Sequence, residues 1–212
     1  MTNIATLITE ARIDLDDTDE KQHTDAEMLS YYNKWARTIY DLLVIDKSEL
    51  VTKGSATLTT TAGMSGYTFA SISASDFWAP YRVWIAGYDP MRKVNEDEYL
   101  DYEQTDGTLI TGQPDRFYIE GSSIYLLPEP DAVYTVKIKY WPSFTKAEAD
   151  YETVPFLDIF NQQLVYGMTL SGKHRLRGNP SIETAMMQLQ QDIGMEIMRM
   201  RRKTVYQFSP VV

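Results

Sequence analysis

The chain contains no cysteine. Disulfides and thiolate metal sites are therefore excluded, and the redox compartment leaves no mark on the composition. Histidine is almost as scarce: His23 and His174 are the only two in 212 residues. That leaves little for imidazole catalysis or imidazole metal binding. His23 sits in an acidic segment, His174 in a basic one, and both read as ordinary surface histidines. Neither lies near a GxSxG nucleophile motif. There is no Walker A sequence and no GxGxxG, so nothing supports phosphate cradling. No apolar run approaches the length of about 18 residues that marks a membrane-spanning helix. The start, Met1-Thr2-Asn3-Ile4-Ala5, lacks the basic and apolar regions of a signal peptide. Asp14, Asp16 and Thr18, with Asp25 at the twelfth position, imitate a calcium loop. The required glycine and the closing glutamate are missing.

Acidic charge and apolar residues are what the chain does have. Its net charge is −10, a poor basis for general nucleic-acid binding. Apolar residues make up 43% and charged residues 24%, enough to fold around a core. Acids crowd the first part: Asp14, Asp16, Asp17, Asp19, Glu20, Asp25 and Glu27. Bases crowd the end: Lys173, Arg175, Arg177, Arg199, Arg201, Arg202 and Lys203. Such an asymmetry suits solvated faces, and also head-to-tail attraction between copies. Asp16, Asp17, Arg199, Arg201 and Arg202 are the expected inter-subunit charge contacts.

Periodicity divides the chain into helices at both ends and strands between. Ile4, Leu7, Ile8, Ala11 and Leu15 recur at helical steps, predicting a helix over 3–14. Thr24 and Glu27 form a capping-box pattern, and a helix follows to about Leu43 with Leu29, Tyr32, Ala36, Ile39 and Leu43 on one face. Strands are predicted at 55–61, 67–70, 82–86, 116–120, 123–127 and 133–141, separated by Gly and Pro. A short helix is predicted at 95–103 and a turn at Asp106-Gly107. Val154-Pro155 opens a helix to about Ser171, Gly178-Asn179-Pro180 breaks it, and a last helix runs over 181–203. The end, 204–212, is uncharged and rich in large apolar side chains, as a docking tail would be; Tyr206, Phe208, Val211 and Val212 are its candidate contacts. The fold class is α+β: a helical bundle from segments 1–50 and 146–203, carrying an antiparallel β-rich insertion at 51–145.

Three stretches carry a resemblance. The first is Leu15-Asp16-Asp17 followed by Thr24-Asp25-Ala26-Glu27-Met28-Leu29, Asn33 and Ala36. The second is Gly112-Gln113-Pro114-Asp115-Arg116-Phe117-Tyr118 with Ile124-Tyr125-Leu126-Leu127-Pro128-Glu129-Pro130-Asp131. The third is Tyr140-Trp141-Pro142 with Val154-Pro155 and the helices after it. In this order they resemble the head-to-tail adaptor (neck, connector) proteins of tailed bacteriophages. The basic run Arg199–Lys203 and the tail match no pattern of that family.

The resemblance implies a structural virion protein of the neck. It implies a dodecameric ring of identical subunits below the portal protein, joined to tail or nozzle proteins, around the channel through which double-stranded DNA passes. It implies no enzymatic activity and no cofactor. Physically, a ring needs two different complementary patches on each subunit, and an acidic lumen would keep passing DNA from adhering. A second reading comes from Trp78, Tyr81, Trp84, Tyr88, Tyr118, Tyr125 and Trp141. Aromatics of this density could offer a sugar-binding surface, making the chain a glycan-binding or wall-degrading tail component; they also suit a small β core.

Overall fold

A computed structural model of the protein describes residues 3–48, 51–72, 74, 76–102, 108–150, 152, 158–177 and 180–207, with 158, 177 and 201–207 described by backbone alone. The expected Asp106-Gly107 turn, the Val154-Pro155 helix start and the Gly178-Asn179 break lie outside those residues. The chain divides into two compact units. One holds 1–51 and 144–212, the other 52–143.

The first unit is helical: α1 (Ile4–Leu15), α2 (Asp25–Ile45), α4 (Asn161–Arg177) and α5 (Pro180–Gln207). Asn3 caps α1, its side chain accepting from the Ala5 N–H. The N–H groups of Ile4 and Ala5 also donate to the carbonyls of Glu152 and Asp150, so the returning chain satisfies donors that a helix start leaves free. The buried residues of α1 include Ile4, Leu7, Ile8, Ala11 and Leu15, the stripe read from the sequence. At the head of α2 the capping box is formed in full. Thr24 accepts from the Glu27 N–H, and the Glu27 carboxylate accepts from the Thr24 N–H. The core stripe of α2 is shifted by one residue from the expected one. Met28, Tyr32, Trp35, Ala36, Ile39 and Leu43 are buried, while Leu29 is half-buried.

Helix α4 packs on both α1 and α2, and α5 packs on α4 and α2. Two glycines of α4 set how closely. A Cβ on Gly167 would stand 2.5 Å from the Trp35 ring, and one on Gly172 would stand 2.8 Å from Leu15. Trp35 thereby reaches across α4, where its indole N–H donates to Ser171 at 3.0 Å. The amide of Asn33 donates to the Ala147 carbonyl at 2.9 Å and accepts from the Ala147 N–H at 2.8 Å. A side chain of the family-like motif thus fixes the segment that follows the β unit.

Among the described residues the second unit holds β1 (Gly54–Thr59), β2 (Gly66–Thr68), a 3-10 turn (Phe69–Ser71), β3 (Phe77–Ile85), β4 (Arg92–Lys93), α3 (Glu96–Leu100), β5 (Thr111–Gly112), β6 (Arg116–Glu120), β7 (Ser123–Leu127), β8 (Glu129–Pro130) and β9 (Thr135–Pro142). One sheet has the order β1-β9-β3 and is antiparallel throughout. A second has the order β2-β7-β6-β4, with β4 parallel to β6. Val83, Ile85, Val136 and Ile138 from the first sheet join Tyr67, Phe117, Ile124 and Leu126 from the second in one core. Burying side chains of this size contributes roughly 1.5–3 kcal/mol each.

The two halves of the second family-like stretch are hydrogen-bonded to one another. β5 pairs parallel with β8, the Glu129 N–H donates to the Ile110 carbonyl, and the Asp115 N–H donates to the Leu127 carbonyl. The Leu127-Pro128 peptide between them is cis.

Candidate docking surfaces

The acidic segment between α1 and α2 is a tight knot organised by Asp17. Helix α1 ends at Asp16, whose φ of 57° is the left-handed cap conformation that Asp tolerates better than most residues. This turn drives the next side chain inward. Asp17 is wholly buried, against the expectation that it stands with Asp16 as a surface charge contact. Its carboxylate accepts from the Gln22 N–H at 2.8 Å and the His23 N–H at 2.9 Å, and pairs with Arg12 at 3.2 Å. Burial pushes the Asp17 pKa up, but those two N–H donors and the Arg12 guanidinium outweigh it and hold the carboxyl below the usual aspartate range. Arg12 is itself buried, and also bonds the His23 carbonyl and Asp25. Asp17 is therefore removed from any acidic docking patch, because its charge is already neutralised inside the chain. Asp16 remains exposed.

His23 corrects a second expectation. It is 1% exposed rather than on the surface, packed edge-on to Tyr31 and against Gly172. Neither ring nitrogen has a hydrogen-bond partner within the described residues. His174 lies within α4, not in a link, and stands 3.4 Å from Glu183. Arg175, on the same helix, forms an ion pair with Glu27 of the capping box. That contact and the Thr24 N–H hold the Glu27 carboxyl below its ordinary pKa.

The basic end belongs to α5, which continues past the predicted limit at 203 to Gln207. Arg199 is exposed and pairs with Glu196 one turn earlier, at 3.5 Å. The backbone of Arg201, Arg202 and Tyr206 is helical; Phe208, Val211 and Val212 lie outside the described residues. Among the described side chains of Asp16, Asp17 and Arg199, no ion pair joins two of the expected charge contacts.

A feature the sequence reading missed is the second apolar face of α5. Leu189, Ile193 and Ile197 are buried, whereas Met187, Met195 and Met198 are more than half exposed. Their positions place these methionines on another side of the helix, together with Gly194, beside which a Cβ would meet nothing within 4 Å. The signal was present as methionines out of step with the buried stripe.

The aromatics of the β unit do not form one exposed surface. Trp141 is buried, and the Lys53 ammonium lies 5.0 Å from its ring and 4.7 Å from that of Tyr81. Tyr118 lies tilted against Tyr99 at 5.4 Å, and Tyr125 meets Tyr99 edge-on at 5.9 Å. Trp78, Tyr81 and Tyr88 are the exposed ones. Among the described residues no group of three His, Asp or Glu is placed to hold a metal ion.

Comparison with known proteins gives one family. No curated protein matches the chain. The family model described as SU10 adaptor protein matches residues 2–211. That span takes in all three family-like stretches together with the basic helix end, and the chain belongs to the SU10 adaptor protein family, in agreement with its resemblance to phage head-to-tail adaptors.

Proposed function

We propose that the protein is a non-enzymatic structural component of the virion neck, where identical subunits form a ring that joins the portal to the tail and surrounds the passing DNA. The observation that carries this reading is the family match over residues 2–211. Physical features support it. A closed ring needs two unlike, complementary patches per subunit. On α1 and the turn after it, Glu10, Asp14 and Asp16 are exposed. On α5 the exposed methionines lead towards Arg199, Arg201 and Arg202. Apolar contact at the centre with opposite charges at the rim is the usual anatomy of a specific interface. The chain end, with Tyr206, Phe208, Val211 and Val212, is the proposed contact to the portal or to a neighbouring copy.

Native mass of the purified chain, alone and mixed with the portal protein of the same genome, tests the reading. A portal-dependent complex holding many copies supports it. A monomer indifferent to the portal overturns it and turns attention to a glycan-directed role for Trp78, Tyr81 and Tyr88.

A further inference from the structure

The β1-β9-β3 sheet has a feature at odds with the rest of the chain. The sequence carries 30 acidic residues, yet none falls in any of these three strands. Antiparallel register places directly paired residues on the same face. Lys139 lies opposite Ser55 on one side and Arg82 on the other. Lys137 lies opposite Thr57 and Trp84. The inward positions, Ala56, Leu58, Val83, Ile85, Val136 and Ile138, fill the core. The outward face is therefore three exposed cations interleaved with hydroxyls, Arg82 lying 6.0 Å from the half-buried Trp84 ring. None of the three cations forms an ion pair among the described residues.

In a chain with a net charge of −10, acids are available to pair with these cations, and the sheet excludes them. Three unpaired cations held close together repel one another, and an arriving anion relieves that repulsion. We propose that the outward face of the β1-β9-β3 sheet is a contact surface for the phosphate backbone of double-stranded DNA. This rests on the reading that DNA passes through the assembled ring, names the surface that meets it, and replaces the expected acidic lumen with a local basic one.

The geometry favours phosphate over an acidic protein. Lys137 and Lys139 are two residues apart on one strand, about 6.8 Å by strand rise, and Arg82 sits one strand away. That spacing covers about two charges along one strand of a duplex. Lys, Arg, Ser and Thr are the side chains that bond phosphate oxygens without reading bases. Three cations also give weak binding, and the acidity of the remaining chain weakens it further. Both suit DNA that must move past rather than stay.

The test is fluorescence anisotropy of a labelled duplex of random sequence with the full-length protein, at several salt concentrations. Three phosphate contacts predict a slope of log affinity against log salt of about −2.7, hence a roughly 40-fold loss between 50 and 200 mM salt. The triple variant Arg82→Gln/Lys137→Gln/Lys139→Gln should abolish the binding. These side chains lie on the exposed face, and an unchanged circular dichroism spectrum confirms the fold. Neutralising Arg199, Arg201 and Arg202 to Gln, which changes the net charge by the same amount as the sheet variant, should weaken the binding far less. Three results overturn the proposal: no binding by the wild-type chain at low salt, binding unaffected by the sheet variant, or stronger binding of poly-glutamate than of DNA at equal charge. Portal association of the same variant is measured in parallel. If it persists while DNA binding is absent from the wild-type chain, this inference fails alone. If the wild-type chain ignores the portal, the parent reading fails.

Discussion

Asp17 shows how one side chain can be misread from its neighbours. Five acids lie within the seven positions from Asp14 to Glu20, and such a run suggests a solvated charge cluster. The left-handed cap at Asp16 instead turns Asp17 into the interior, where it ties Arg12 to the backbone of residues 22 and 23. Removing it leaves a buried guanidinium with one partner fewer. Asp17→Ala should cost about 3 kcal/mol, read as a lower urea midpoint. Asp16→Asn, at an exposed position and with a residue that also tolerates the left-handed cap, should change it little. Acid should act through the same knot. The folded Asp17 pKa lies below the unfolded value of about 3.9. Its contribution is fully present above that value and is lost as pH falls through the folded pKa. Glu27, also depressed, adds to the loss in the same direction. Unfolding midpoints should therefore be flat near neutrality and fall below about pH 4; in Asp17→Ala that fall should be shallower. His23 was hidden for the same reason as Asp17, since its depth depends on the turn and on Gly172, neither of which a local reading of acidic neighbours reveals.

At the scale of elements, what was legible follows strict local chemistry. The α1 stripe, the Thr24–Glu27 box and the β6–β7 hairpin were all written in residues a few positions apart. Strands of two residues, such as β4, β5 and β8, carry no periodicity, so their parallel pairings could not be read. Helix α4 was cut short in the reading at Ser171 because Lys173, His174 and Arg175 resemble a link; they are the polar face of the same helix, which runs to Arg177. Its glycines were equally silent, because their value lies in what approaches from α1 and α2. A paired experiment separates the two kinds of helical glycine. Gly167→Ala should destabilise by about 1–3 kcal/mol, since the new methyl strikes the Trp35 ring. Gly194→Ala meets open space and should stabilise by about 0.5–1 kcal/mol through helix propensity. Thermal unfolding of both variants, read against wild type, checks the signs.

At the scale of the whole molecule, the order of elements identified the class better than any single site could. No catalytic constellation was readable, and the family match arrived through the succession of cap, turn and strand motifs. The docking surfaces were much less legible, since an interface depends on a partner's shape as well as on this chain's residues. Charge placement still makes a prediction. Arg201→Glu/Arg202→Glu should weaken assembly with the portal, and the wild-type complex should lose copies as salt rises. Native mass spectrometry across a salt series would show both effects; a double variant that assembles like wild type would remove the basic helix end from the interface.

The strands that begin and finish the β unit, β1 and β9, are direct neighbours, with Gly54 beside Tyr140. The chain thus leaves the helical unit and comes back through two leads lying side by side. Such a unit behaves as an exchangeable cassette. It can be lengthened, shortened or replaced by a tight turn without asking the helices to bridge a new distance. Evolution can then vary what the insertion touches while the helices that pack around α4 stay the same, and an engineer can swap it as a single piece.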